Sequence, residues 1–256
     1  MIGMDRSIFE TYAGLEGQQL LAPILRDFKG RAAVVSSFGA ESAVLLHMVA
    51  EVDPATPVIF LDTGKHFWET LGYRAKLIDQ LGLRGVRSVT PDADALRSTD
   101  PLGDLHKSNP DLCCHIRKTA PLENALAAFD VIISGRKRYH GAARATLDFL
   151  SIADGRLKVE PLAGFSALDI RSYMASHRLP SHPLTEIGYY SIGCEPCTEP
   201  GGNADDPRAG RWAGSDKTEC GIHWTLNGKP MASRPGLPRG ALAHKDEAAP
   251  PSSALN

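Results

Sequence analysis

Short apolar runs alternate with helix-spaced patterns up to about residue 178. Residues 31–36 (RAAVVS) predict a short buried strand, and 58–61 (VIFL) predict a second, ending at Asp62-Thr63-Gly64. Further strands are predicted at 86–89, at 131–134 (VIIS) and at 157–160. Between them the period changes to that of a helix. Residues 5–28 read as helical, with Ile8, Tyr12, Leu15, Leu20, Leu21 and Leu25 as candidate buried positions. Val44, Leu45, Met48 and Val49 form a helical pattern after the first strand, and Trp68, Leu71, Ala75, Ile78 and Leu81 repeat at helical spacing after the second. Residues 110–129 carry another helix, which Pro121 divides or kinks, and a last helix lies near 166–177. Strands in alternation with helices predict an α/β fold, a parallel sheet flanked by helices on both faces. In such folds ligands bind beyond the carboxyl ends of the strands. The polar turns at 36–42, 62–64 and 135–144 each follow a strand, so they should converge on one edge.

Past residue 178 the texture changes. Residues 198–210 (TEPGGNADDPRAG) are rich in Gly, Pro and Asp and predict a mobile loop. Residues 225–256 hold Pro230, Pro235, Pro238, Pro250 and Pro251 with little apolar periodicity, which predicts a disordered tail. The expected division is a helical segment over 1–30, an α/β domain over 31–197, a mobile segment over 198–224 and a tail over 225–256. No repeat of 20–50 residues is visible.

Composition adds bounds. The chain has 256 residues, 43% hydrophobic and 23% charged, enough to bury a full core without staples. A net charge of −2 leaves no global basic footprint for nucleic acid or an anionic membrane. The first ten residues have no basic flank leading into an apolar run, and no stretch approaches a membrane span. A cytoplasmic chain is expected. The cysteines then sharpen the picture. There are five, an odd number: the adjacent Cys113 and Cys114, the pair Cys194-x-x-Cys197, and Cys220. In a reducing compartment this pattern points to metal binding or catalysis rather than to disulfides.

The segment VVSSFGAESAVLL is strand, small polar turn and helix. Such a turn either builds an anion site from backbone N–H groups, with Gly39 permitting close approach, or is an ordinary connection. The Walker pattern is absent, since Ile59 stands five positions before Gly64, and so is the triple-glycine dinucleotide fingerprint. Four thiolates suit zinc or an iron–sulfur cluster. Adjacent cysteines reach two corners of a cubane more easily than one zinc ion, which tilts the reading toward [4Fe–4S]; buried core thiols are the plain alternative. Cys220 has Arg208, Arg211, Lys217 and His223 near it in sequence, cations that favour a thiolate, although an incidental exposed cysteine fits equally well. Arg136, Lys137, Arg138, His140 and Arg144 follow a strand, at the edge where an anion would bind. The lack of interleaved aromatics speaks against nucleic acid. His47 and His177 have no evident partner.

Four segments together resemble the assimilatory adenylyl-sulfate reductases, relatives of the phosphoadenylyl-sulfate reductases. They are Ser36-Ser37-Phe38-Gly39-Ala40-Glu41-Ser42; Leu61-Asp62-Thr63-Gly64 with Glu69-Thr70; Cys113-Cys114 with Cys194-x-x-Cys197; and Glu219-Cys220-Gly221-Ile222-His223. The resemblance spans about residues 32–224. It implies an adenine nucleotide α-hydrolase-like fold and reduction of adenosine 5′-phosphosulfate to sulfite and AMP. It implies that Cys113, Cys114, Cys194 and Cys197 hold a [4Fe–4S] cluster and that Cys220 is the nucleophile. Ser36, Ser37, Gly39, Leu61, Thr63 and Gly135 would surround the adenosine, and Arg138 would contact the nucleotide. Lys118, Arg208, Arg211 and His223 match positions near the phosphosulfate. The implied partners are thioredoxin or a glutaredoxin-like dithiol and, as a homo-oligomer, further copies of the chain; no nucleic acid and no membrane are expected. The family's usual Gly-x-Arg-Arg-x-Gln-Ser is not matched here, because Tyr139-His140-Gly141 stand in place of x-Gln-Ser. Three alternatives compete. A 3′-phosphoadenylyl-sulfate reductase usually lacks the four cluster cysteines. An ATP-dependent adenylating or thiolating enzyme typically shows Ser-Gly-Gly-x-Asp-Ser, where this chain has Ser-Phe-Gly-Ala-Glu-Ser. A non-catalytic zinc module would contain neither iron nor sulfide.

Overall fold

The computed structural model describes residues 7–141, 144–203, 206–213, 217, 219 and 222. The predicted tail therefore lies outside the described residues. Six strands form one sheet: β1 (Ala32–Val35), β2 (Val58–Leu61), β3 (Val86–Val89), β4 (Val131–Ser134), β5 (Leu150–Ala153) and β6 (Arg156–Val159). Their order is β3-β2-β1-β4-β6-β5. All neighbours run parallel except β5, which is antiparallel to β6. The helices are α1 (Ser7–Thr11), α2 (Gly17–Asp27), α3 (Ser42–Val52), α4 (Trp68–Gln80), α5 (Ala93–Thr99), α6 (Leu105–Ser108), α7 (Pro110–Cys114), α8 (Ala120–Leu126) and α9 (Ala167–Ser176). No described helix is long and apolar enough to cross a membrane.

The apolar runs lack alternation because both faces of the sheet are covered. Ala32, Val34, Val58, Phe60, Val131, Ile133, Leu157 and Val159 enter one core with α2 and α3. Ala33, Ile59, Leu61 and Ile132 point the other way, onto Leu122 and Leu126 of α8. This is the predicted α/β class. The sequence reading differs from it at several places, and α5 and α6 were not expected. The helix expected over 5–28 is two helices, with Gly14 left-handed at φ +73 between them. The helix expected over 110–129 passes through a π turn, His115–Thr119, just before Pro121. Pro121 cannot donate to the helical ladder, and the wider turn is where the ladder adapts. On α4 the buried line is Thr70, Tyr73 and Leu77, whereas Trp68 is 84% exposed. Thr70 and Tyr73 can face inward because Thr70 meets His182 and the Tyr73 hydroxyl donates to the Pro180 carbonyl (2.8 Å). Finally, β5 was not expected. His47 also has partners: its Nδ1 lies 2.9 Å from the Tyr173 hydroxyl, and its ring is 4.5 Å from that of His177.

His182 is fully buried, and its protonation state follows from its partners. Nδ1 accepts from the Leu184 N–H (3.2 Å), so Nε2 carries the proton and donates to the Thr70 hydroxyl (3.0 Å). Burial pushes its pKa down to about 4. Between pH 6.5 and pH 4 the unfolded chain takes up a proton there that the folded chain refuses. Stability is therefore full above pH 6.5 and falls as pH is lowered through that window. His182→Gln should lose roughly 1–3 kcal/mol at pH 7.5 and show a shallower fall toward pH 5, read from urea midpoints at the two pH values. An unchanged pH slope would remove His182 as the cause.

Candidate functional site

The sheet order reverses between β1 and β4, and the turns that follow these strands separate there. A cavity opens at that point. Ser36, Ser37, Gly39 and Glu41 form its wall after β1, Leu61 and Thr63 after β2, and Gly135, Arg136 and Lys137 after β4. Lys118, Arg208 and Arg211 reach it from outside the sheet.

The turn after β1 is held by its own side chains. The Ser36 hydroxyl accepts from the Phe38 N–H (3.2 Å), and the Ser42 hydroxyl donates to the Gly39 carbonyl (2.6 Å). Phe38 has φ +50, costly for a bulky residue, and its ring is fully buried edge-on to Phe60 at 5.6 Å. Core burial thus holds the strained turn in place. Gly39 lies close to the Ile192 carbonyl, where an added Cβ would stand at 3.2 Å.

Glu41 ties the two turns together. Its carboxylate accepts from Lys137 Nζ (2.8 Å), from His140 Nε2 (3.0 Å) and from the Tyr139 hydroxyl. Burial alone would raise its pKa, but Lys137 and His140 hold it well below the usual carboxylate range. His140 Nδ1 lies 3.2 Å from an Arg144 nitrogen, which can only donate, so His140 is the neutral Nε2–H tautomer. Burial pushes its pKa down to about 4, with Lys137 and Arg144 acting in the same direction. The Arg136 guanidinium is matched by buried Glu160 (2.8 Å), which also accepts from Ser134 (2.5 Å).

The four paired cysteines come together in a second pocket, beside the first. Cys113 and Cys114 end α7; Cys194 and Cys197 bracket a short 3₁₀ turn. All four line this pocket with Arg117 and Lys118. Cys113 feels the charges of both Cys194 and Cys197. The 194–197 turn hangs on the loop after β2: Glu195 N–H donates to the Lys65 carbonyl (2.8 Å), and Cys194 lies 3.3 Å from the Thr63 hydroxyl. Burial would raise the Cys194 thiol, but Lys118, Thr63 and Arg211 bring it below its ordinary value. Burial dominates at Cys113 and Cys197 and raises both. Trp212 packs on Cys114 and Cys197, with the Arg211 guanidinium 4.5 Å over its ring. Two buried donors around this pocket lack a protein partner, Arg117 Nε and Trp212 Nε1, as does the Nδ1 of His106. Among the described residues, no three His, Cys, Asp or Glu side chains are arranged to hold a single metal ion.

Of the residues singled out from sequence, Ser36, Ser37, Gly39, Leu61, Thr63, Lys118, Gly135, Arg208 and Arg211 stand on the wall of the first cavity. Arg138 does not. Its Nε donates to the Leu147 carbonyl (2.7 Å), and its guanidinium lies 4.8 Å over the Phe149 ring. Cys220 and His223 lie outside the described residues. Residues 198–199 pair with 210–211: Thr198 bridges Arg211, and Glu199 N–H donates to the Gly210 carbonyl (2.8 Å). The sequence reading missed Glu41 as the link between turns, His66 beside Cys194, and Trp212 over the cysteines. The signal for Glu41 was available, an acid inside the turn that faces a basic run.

The mostly parallel sheet flanked by helices, with a cavity at its reversal point, is an α/β fold of the adenine nucleotide α-hydrolase-like class. The chain belongs to the phosphoadenosine phosphosulfate reductase domain family, whose model matches residues 31–200. It is 48% identical over 213 residues to a protein of Mesorhizobium japonicum named adenosine 5′-phosphosulfate reductase, covering 83% of this chain and 84% of that one. A protein of the same name from Chelativorans sp. strain BNC1 is 46% identical over 214 residues, covering 83% and 87%. Among solved structures, a phosphoadenylyl-sulfate reductase from Candida auris shares the fold, with a TM-score of 0.64 at 22% identity over 76% of this chain and 97% of that one.

Lys137 is 4% exposed, so Glu41→Gln leaves a buried ammonium without its counter-charge. The expected cost is roughly 3 kcal/mol or more, against about 1 kcal/mol for Tyr139→Phe, which removes only one hydrogen bond. Urea unfolding of the two variants compares them; equal losses would show that the charge pair does not organise the turns.

Proposed function

We propose that the protein reduces adenosine 5′-phosphosulfate to sulfite and AMP in assimilatory sulfate reduction, with thioredoxin or a similar dithiol as reductant. One observation carries the reading: Lys118 and Cys194 belong to the walls of both pockets. A cation thus stands between the anion cavity and four thiols. The names of the Mesorhizobium and Chelativorans relatives support the same substrate.

The first cavity would take the nucleotide, with its adenosine against the turns after β1, β2 and β4. Lys118, Arg208 and Arg211 would face the phosphosulfate and reduce its repulsion of an incoming thiolate. The Cys220 thiolate would attack the sulfuryl sulfur. The sulfur–oxygen bond to the phosphate breaks, AMP leaves, and Cys220 carries an S-sulfonate. A dithiol then attacks the Cys220 sulfur and expels sulfite. Its second thiol resolves the mixed disulfide and restores Cys220. Both electrons come from the dithiol.

The second pocket suits a [4Fe–4S] cluster on the chemistry of its donors: four cysteines from two segments, with unpaired buried N–H groups beside them to meet sulfur. A cluster held there would supply a fixed charged centre next to Lys118. Its thiolate ligands and the dithiol chemistry both fit a reducing, cytoplasmic setting.

Full-length protein containing iron and sulfide, given adenosine 5′-phosphosulfate and thioredoxin, should release sulfite. With 3′-phosphoadenylyl sulfate kcat/KM should be lower by about 10² or more. Cys220→Ser should keep its visible absorbance and bind AMP, yet show no sulfonate mass on any peptide. A sulfonate on the variant, or sulfite released by it, would overturn the assignment of Cys220.

A further inference from the structure

Cys113 and Cys114 reach the second pocket from one segment, and Cys194 and Cys197 from another, far away in sequence. Four thiols can serve one group only if these two segments are held at a fixed separation. Arg117 is the strut between them. It stands in the π turn that continues the helix of Cys113 and Cys114, and it lines the pocket. Its guanidinium is buried, with a different partner at each end. One terminal nitrogen donates to the Thr63 carbonyl (2.8 Å), and the other to Asp100 Oδ2 (2.6 Å). Thr63 lies in the loop after β2, and that loop carries the other cysteine pair. Its hydroxyl is 3.3 Å from Cys194 Sγ, and two residues on the Lys65 carbonyl accepts from the Glu195 N–H (2.8 Å).

Asp100 holds the strut from behind. It is buried and does not itself line the pocket. Its second oxygen, Oδ1, accepts from the N–H of Leu105 (2.9 Å), which opens α6, and His106 of α6 lines the pocket. Lys65 Nζ donates to the Gly103 carbonyl, between Asp100 and α6. The π turn, the loop after β2 and α6 are thus joined through one carboxylate. Burial alone would raise the Asp100 pKa, but Arg117 and the Leu105 N–H bring it below its ordinary value, so it stands ionised. A buried ion pair adds little net stability compared with apolar packing; what it fixes is geometry. A single bond to the Thr63 carbonyl would let the guanidinium swing about that contact. A second, charge-assisted bond at the other nitrogen sets its plane and direction.

Resting on the reading of the four cysteines as ligands of one metal–sulfur group, we propose that Asp100 is a positioning residue for that group. Through Arg117 it holds the segment of Cys113 and Cys114 at a set distance from the loop that carries Cys194 and Cys197. The two cysteine pairs are thereby presented to one group, and α6 is fixed as the outer wall of the pocket.

The test uses the full-length protein, purified without oxygen, with its iron and sulfide. Two quantities are read: the rate at which iron passes to a ferrous chelator, and the visible circular dichroism, which senses how thiolates are arranged around the metal. Asp100→Asn offers one acceptor oxygen in place of two, so it cannot serve both Arg117 and the Leu105 N–H. It should speed iron loss by about tenfold or more and change the dichroism. Arg117→Lys keeps the charge but cannot span Asp100 and Thr63, and it should do the same. The double variant should lose iron at a rate within about threefold of the faster single variant, because the two residues act as one unit. Asp100→Glu restores the carboxylate and should lie nearer the parent than Asp100→Asn on both readings. His182→Gln loosens the core away from the pocket and should leave both readings near the parent. Parent-like readings in Asp100→Asn would overturn the proposal. So would effects that multiply in the double variant, or iron loss in His182→Gln as fast as in Asp100→Asn. Should Asp100→Asn fail to fold, Arg117→Lys decides: faster iron loss with altered dichroism supports the strut, and parent-like values refute it. A parent protein without iron and sulfide overturns the reading of the pocket itself; a loaded parent matched by Asp100→Asn overturns the positioning role alone.

Discussion

The pairing of β1 with β4 is the constraint on which the site depends. Four consecutive residues of each strand lie in parallel register, Ala32 beside Val131 through Val35 beside Ser134. The chain winds outward from this pair in both directions, through β2 and β3 on one side and β6 and β5 on the other. The turns that leave the two strands must diverge, so their carboxyl ends frame a crevice that no neighbouring connection fills. Glu41 then holds the crevice at a set width. It stands just before α3, and Lys137 and His140 reach it from the turn after β4. The core below is apolar on both faces, and the crevice edge is polar on both sides.

Charge at that edge is balanced pair by pair. Arg136 is matched by Glu160, Lys137 by Glu41, and Arg117 by Asp100, all within the fold. These cations are structural: Arg136 and Arg117 satisfy buried carboxylates, and Lys137, itself buried, meets the half-buried Glu41. Lys118, Arg208 and Arg211 differ in where they come from. None belongs to the sheet or its turns, and all three face the cavity. The cations of the sheet's own turns are thus matched within the fold, whereas those that arrive from outside the sheet include Arg208, which is itself paired with Glu219.

The strands buried on both faces were legible because their apolar residues are continuous, and the site turns were legible because each follows such a strand. β5 was missed because it is an edge strand with Ile152 41% exposed and no clear apolar run. A local signal existed. Asp154-Gly155 takes φ +53 and +69, the left-handed pair of a tight hairpin turn, and this dipeptide is a strong hairpin cue. Trp68 illustrates a different failure. Hydrophobic spacing placed it on a buried stripe, but the true stripe includes Thr70 and Tyr73, whose polar ends find partners more than 100 positions away. Arg138 was grouped with its basic neighbours, yet its partners, Leu147 and Phe149, turn it away from the cavity. Charge in a run does not reveal which way each side chain points, because that depends on partners outside the run.

His140 links Glu41 to Arg144. It stands where the resembling family has glutamine, and an imidazole matches an amide in one respect: it can donate at one atom while accepting at another. Here Nε2–H donates to Glu41, and Nδ1 faces Arg144. Neutrality is essential to this role. A protonated ring would have two donors and no acceptor, and would set a cation against Arg144. Burial and the adjacent cations keep it neutral, with a pKa of about 4. Arg144 is in turn the residue that forks onto Glu219. A continuous line of hydrogen bonds therefore runs from the turn after β1, through His140, to the residue beside Cys220. The substitution of histidine keeps the geometry of the crevice joined to the segment proposed to carry the nucleophile.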